Sequence, residues 1–86
     1  MTIYTVLLKE TVSKQIAELS KKLQTRVIEA IMALKENPWP HGAIKLKGST
    51  NSYRIRIGNY RIIYEIHDKI LTVFVFDVDH RKQVYK

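Results

Sequence analysis

Tyr53-Arg54-Ile55-Arg56-Ile57-Gly58-Asn59-Tyr60-Arg61-Ile62-Ile63-Tyr64 decides how this chain folds. Two alternating runs flank Gly58-Asn59, and glycine at the first central position of a two-residue turn suits the type II′ hairpin. Counting outward from that turn sets the register. Ile57 then faces Tyr60, Ile55 faces Ile62 and Tyr53 faces Tyr64, all on one side. On the other side Arg56 opposes Arg61 and Arg54 opposes Ile63. Like charges directly opposite each other destabilise a sheet, where an opposite-charge pair would contribute roughly 0.2–1 kcal/mol. Glu or Thr would have kept that side soluble, so the arginine pairing points to an anion lying across it.

The rest of the pattern builds outward from the hairpin. Ile3 to Leu8 reads as a first strand. Thr11 is a plausible N-cap, and Val12, Ile16, Leu19 and Leu23 follow at helical spacing. A second helical pattern runs from about Thr25 to Glu36 through Val27, Ile28, Ile31, Met32 and Leu34. Asn37-Pro38-Trp39-Pro40-His41-Gly42 ends it, because two prolines and a glycine cannot continue a helix. Trp39 is expected to plug the end of that helix, with His41 in the loop and His67 in a turn. Ala43 to Lys47 precedes the turn 48–52. Ile70 to Val78 makes a last long strand, and an Asp68-Lys69 turn would set Leu71, Val73 and Val75 against Ile66, Tyr64 and Ile62. One sheet face is then apolar, and the other carries Arg56, Arg61, Ile63, Phe74 and Phe76. The fold class is α+β in the order β-α-α-β-β-β, a helical hairpin packed on a mainly antiparallel sheet.

Eighty-six residues suffice for one domain, 1–86, with a small core. The net charge is +7. Residues 1–41 hold six Lys/Arg against four Asp/Glu, and residues 42–86 hold nine against four, so the excess lies in the sheet-forming part. That balance suits nucleic acid, an anionic membrane or an acidic protein, although many small domains are basic merely for solubility. The absence of cysteine excludes disulfides and zinc-thiolate sites and fits a reducing cytoplasm. No apolar run is long enough for a membrane span, and the N-terminus lacks the apolar centre of a signal peptide. The histidines and acids show no metal-ligand spacing, and there is no phosphate-binding glycine loop.

Two constellations carry chemistry. Arg54, Arg56 and Arg61 share a surface in this register, and guanidinium groups grip phosphate bidentately while keeping their charge. The second is Asp79-His80-Arg81-Lys82-Gln83-Val84-Tyr85, just after the last strand. A histidine moves protons near neutral pH and a tyrosine stacks on a base.

In their order and spacing, Lys45-Leu46-Lys47-Gly48, the arginine hairpin and the ending from Val78 to Tyr85 resemble the RelE toxins of the RelE/ParE toxin–antitoxin superfamily. The resemblance covers nearly the whole chain, and His80-Arg81 with Val84-Tyr85 favours the RelE branch. It implies a single RelE-like toxin domain acting as a cytoplasmic, metal-independent and cofactor-free endoribonuclease. Such a toxin enters the ribosomal A site and cuts mRNA by attack of the ribose 2′-OH on the adjacent phosphate. It also implies a cognate antitoxin that covers the basic surface in a hetero-oligomeric complex. Arg54, Arg56, Arg61, Arg81 and Tyr85 match the family's catalytic positions, with Arg54 assigned to backbone phosphate and Lys45, Lys47 and Lys82 as further RNA contacts. The family's well-studied members carry lysines where this chain has Arg54 and Arg56. Arginine cannot serve as a base, so His80 is the candidate, unless the ribosome aligns the 2′-OH and electrostatics suffice. The alternative within the superfamily is a ParE-like gyrase inhibitor without nuclease chemistry.

Overall fold

The computed structural model describes residues 2–80. Its elements are β1 (Thr5–Leu8), α1 (Glu10–Ala17), α2 (Lys21–Ala33), β2 (Ile44–Lys45), β3 (Ser52–Ile57), β4 (Tyr60–His67) and β5 (Thr72–His80). One five-stranded sheet has the order β1-β5-β4-β3-β2. All neighbours are antiparallel except β1 and β5, which run parallel. Both helices pack on one face of this mixed sheet, in the arrangement expected from the hydrophobic pattern.

The hairpin at β3–β4 has the expected register at every position, including Arg56 opposite Arg61 and Tyr53 opposite Tyr64. Gly58 sits at φ 59°, while Asn59 is not in the positive-φ region, which is the type II′ signature. The core face alternates along β4 through the buried residues Ile62, Tyr64 and Ile66. Val12 and Ile16 of α1, four residues apart, and Val27 and Ile31 of α2 close over them.

The helices begin and end earlier than the periodicity indicates. Thr11 lies inside the first turn of α1, whose N-cap is Lys9. The break falls at residues 18–20 because Ser20 caps α2, its hydroxyl accepting from the Leu23 N–H at 3.3 Å. Apolar spacing runs through this break, since Leu19 still packs against the core.

β5 also differs from expectation. The connection is a 3₁₀ turn over Asp68–Ile70 that leaves Leu71 left-handed at φ 49°. The strand therefore starts at Thr72, and Val73 opposes Ile66 while Val75 opposes Tyr64. This two-residue slip keeps each side chain on its face, because side chains alternate with period two. Leu71 is left exposed. A bulge at Phe76 of β5, opposite Ile63 and Tyr64, then brings Val78, not Val75, opposite Ile62.

Pro38 plugs the end of α2 in place of Trp39. Pro38 is fully buried and its carbonyl accepts from the Tyr64 hydroxyl at 2.8 Å. Burial pushes the Tyr64 phenol up to about 12. Trp39 stays 46% exposed and meets Tyr4 edge-on at 6.1 Å. The Tyr4 hydroxyl in turn donates to Asp68, and that bond raises its pKa.

Candidate functional site

Because Tyr53, Ile55 and Ile57 must face the helices, the intervening Arg54 and Arg56 are driven to the opposite face of β3. The same alternation puts Arg61, Ile63, Glu65 and His67 there on β4. No helix among the described residues covers that face. Three arginines thus stand together on an open sheet: Arg56 exposed, Arg54 and Arg61 half-buried. Arg54 Nη1 and Arg61 Nε are shut off from solvent with no hydrogen-bond partner among the described residues. A buried guanidinium donor without an acceptor costs roughly 1–3 kcal/mol or more, and an anion on this face would remove that cost.

β5 completes the row. Asp79 pairs with Arg61, so the order across the sheet is Asp79, Arg61, Arg56. Arg61 therefore has a like charge on one side and an opposite charge on the other. At the far end of the same face, Glu65 and His67 bond each other at 2.9 Å.

The other proposed site residues lie elsewhere. His80 pairs with Tyr60, and the two rings meet edge-on at 4.9 Å. Tyr60 belongs to the helix-facing set of β4, so His80 and the Arg56–Arg61 pair occupy opposite faces at the end of the sheet. His80 lines a cleft of about 260 Å³ with Gln15, Glu18, Leu19, Tyr60, Val78 and Asp79. Lys45 is exposed on the edge strand and pairs with Tyr53, whereas Ile44 is the residue aligned with Arg54. Lys47 is exposed just beyond β2. Arg81, Lys82 and Tyr85 lie outside the described residues.

Two residues near the site were not singled out by the sequence. Arg26 of α2 reaches the hairpin tip, where a Cβ added at Gly58 would stand 3.8 Å from its Nη1. Gln15 of α1 clamps the bulged part of β5. Its Nε2 donates to Asp77 Oδ1 at 2.9 Å, and its Oε1 accepts from the Val78 N–H at 2.9 Å. Arg26 carried no motif, and Gln15 resembled any polar residue on a solvated helix.

The model of the ParE toxins of type II toxin–antitoxin systems matches residues 5–85. The chain belongs to the RelE/ParE family of type II toxins. Toxin RelG of Mycobacterium tuberculosis is 30% identical over 84 residues, 96% of this chain and 97% of that protein. Toxin RelE3 of Methanocaldococcus jannaschii is 49% identical over 41 residues, 48% of this chain and 44% of that protein. Among solved structures, the archaeal RelE–RelB complex from Pyrococcus horikoshii superposes with a TM-score of 0.83 at 31% identity, covering 94% of this chain and 97% of that one. The toxin–antitoxin complex RelBE2 of M. tuberculosis gives 0.80 at 29% identity, with 94% of each chain covered. The RelE/ParE toxin described here therefore shares both sequence and the helix-on-sheet architecture with proteins solved in complex with antitoxins. No helix among its described residues is long and apolar enough to cross a membrane.

Proposed function

We propose that this RelE/ParE toxin is a ribosome-dependent endoribonuclease that cuts mRNA in the A site. The observation that carries the reading is the Arg56–Arg61 cross-strand pair on a face that no helix of the described residues covers, with Arg54 Nη1 and Arg61 Nε buried and without a hydrogen-bond partner among those residues. In the reaction the ribose 2′-oxygen attacks the neighbouring phosphorus and the bond to the 5′-oxygen breaks. The products are a 2′,3′-cyclic phosphate and a 5′-hydroxyl. Negative charge grows on the phosphoryl oxygens in the transition state, and donors already fixed around them stabilise it without reorganisation. Arg56 and Arg61 take this role, and Arg54 holds a flanking phosphate. Arg81 stabilises the departing 5′-oxygen, and Tyr85 orients the nucleotide at the cut. Lys45, Lys47 and Lys82 contact RNA backbone.

Proton removal from the 2′-OH falls to His80 or to no side chain. With His80 on the helix side beside Tyr60, the arrangement favours electrostatic stabilisation, with the 2′-OH aligned by the ribosome. Unchanged cleavage by His80→Ala across neutral pH would settle the matter against a histidine base. An antitoxin, as in the RelE–RelB complexes, is the expected inhibitor, and the site of action is the cytoplasm.

The second reading is gyrase inhibition, favoured by the ParE description of the matching family model. Brief expression in cells separates the two. The nuclease reading expects arrest of protein synthesis with new 5′-hydroxyl mRNA ends at A-site codons. DNA damage with intact mRNA would instead establish the gyrase reading.

A further inference from the structure

The open face holds more than arginines. Phe74 and Phe76 lie there side by side on β5, their rings 6.5 Å apart and within 19° of parallel. Both are half-buried, although no helix of the described residues covers them. Leu7 of β1 stands opposite Phe74 and is 50% exposed. Ile63 pairs with Arg54 on β3 and, on β5, with Asp77 next to Phe76. An apolar, aromatic half of the face therefore adjoins the cationic half. Ile63 and Arg61 are two residues apart on β4, roughly 7 Å along the strand.

Three carboxylates border this surface, with Glu65 paired to Phe74, Asp77 to Ile63 and Asp79 to Arg61. Phe76 is the extra residue of the β-bulge, between the Val75–Tyr64 and Asp77–Ile63 pairs. The Asp77 carboxylate accepts from Gln15 Nε2 of α1 at 2.9 Å, and the Glu65 carboxylate is bonded to His67 at 2.9 Å. Beside these carboxylates lies an aromatic platform, close to guanidinium donors that have no hydrogen-bond partner among the described residues. A ligand that satisfies both halves combines a flat apolar group with an anion one short linkage away.

We infer that Phe74 and Phe76 stack nucleobases of single-stranded RNA whose phosphates rest on Arg54, Arg56 and Arg61. This rests on the reading of the arginine face as a phosphate site and adds the element that holds the bases. An acidic peptide would satisfy the arginines, but its carboxylates offer nothing planar to the paired rings. A nucleotide supplies both groups, and base–aromatic stacking tolerates any sequence because every base has a π face.

The test measures binding of the full-length toxin to a short unstructured oligouridylate and to an abasic ribose-phosphate oligomer of equal length, over a range of salt. The wild type should prefer the base-bearing oligomer by about tenfold, the contribution of one stacked base. Phe74→Leu with Phe76→Leu should erase that preference and leave the salt slope unchanged, with thermal melting confirming the fold. Phe76→Tyr retains a ring and should retain the preference. Arg56→Ala should lower the salt slope by about one while keeping the preference. A wild type that binds both oligomers equally, or a double leucine variant with its preference intact, would overturn the inference. So would a double variant that loses affinity only for an acidic peptide, since the rings would then serve a protein partner. Base preference without mRNA cleavage would sink the nuclease reading and leave the platform standing. Cleavage without base preference would do the reverse.

Discussion

The two faces of the β3–β4 hairpin share one backbone and opposite demands. On the helix side, Ile55 with Ile62 and Tyr53 with Tyr64 gain stability by being opposite each other. On the open side, the same register forces Arg56 against Arg61, which loses stability. The packed face wins because burying one large apolar side chain contributes about 1.5–3 kcal/mol, whereas a cross-strand charge pair is worth roughly 0.2–1 kcal/mol. A slip of one residue would separate the arginines only by exposing the core. The core thus acts as the clamp that holds like charges together, and the open face is preorganised at the core's expense.

This contrast breaks most severely at Ile62, which has no exposure. Ile62→Ala should lower unfolding free energy by about 2–5 kcal/mol, read from urea titration. Given a typical total of only about 5–15 kcal/mol, the arginine face should lose its geometry with it.

Tyr64→Phe removes the hydroxyl that serves the buried Pro38 carbonyl. A loss of about 1–3 kcal/mol is expected. It should also change the response to alkali. The folded state holds the Tyr64 proton up to about 12, against an ordinary value of 10.0. Its contribution is therefore whole below pH 10 and fades as pH rises towards 12. Tyr4 shifts in the same direction through its bond to Asp68. Chemical unfolding across this window should show a steeper alkaline loss in the wild type than in Tyr64→Phe.

At the turn, Gly58→Ala places a side chain at φ 59° and should cost about 1–2 kcal/mol in the same titration. The smallest effect has the opposite sign. Arg56→Thr relieves the like-charge pairing and should raise stability by about 0.2–1 kcal/mol, and less in high salt.

The hairpin was fully legible from the sequence because its turn chemistry and its alternation point to the same register. Face membership was legible along the first part of β5 even though its pairing slipped, since a shift of two residues preserves the side. The bulge was not legible, because it depends on Gln15 from a distant helix bonding both Asp77 and the Val78 amide. The break between the helices was masked by Leu19 and Leu23, which continue the apolar period through Ser20. Trp39 drew attention by its size, yet Pro38 fills the buried position, because the Tyr64 hydroxyl needs a carbonyl there. At the site, alternation alone grouped Arg54, Arg56 and Arg61 with Phe74 and Phe76. It could not show that His80 would follow Tyr60 to the helix side, because the bulge changes the parity of the strand just before it.

The central claim is that the open face stabilises the scissile phosphate while the packed face only holds it in place. Single-turnover cleavage of mRNA on programmed ribosomes by Arg61→Ala, with thermal melting of the same sample, tests it most directly. Cleavage should fall by about 10²–10³-fold, the usual cost of losing one transition-state donor, with the melting temperature unchanged or raised. Wild-type cleavage by a folded Arg61→Ala protein would contradict the account.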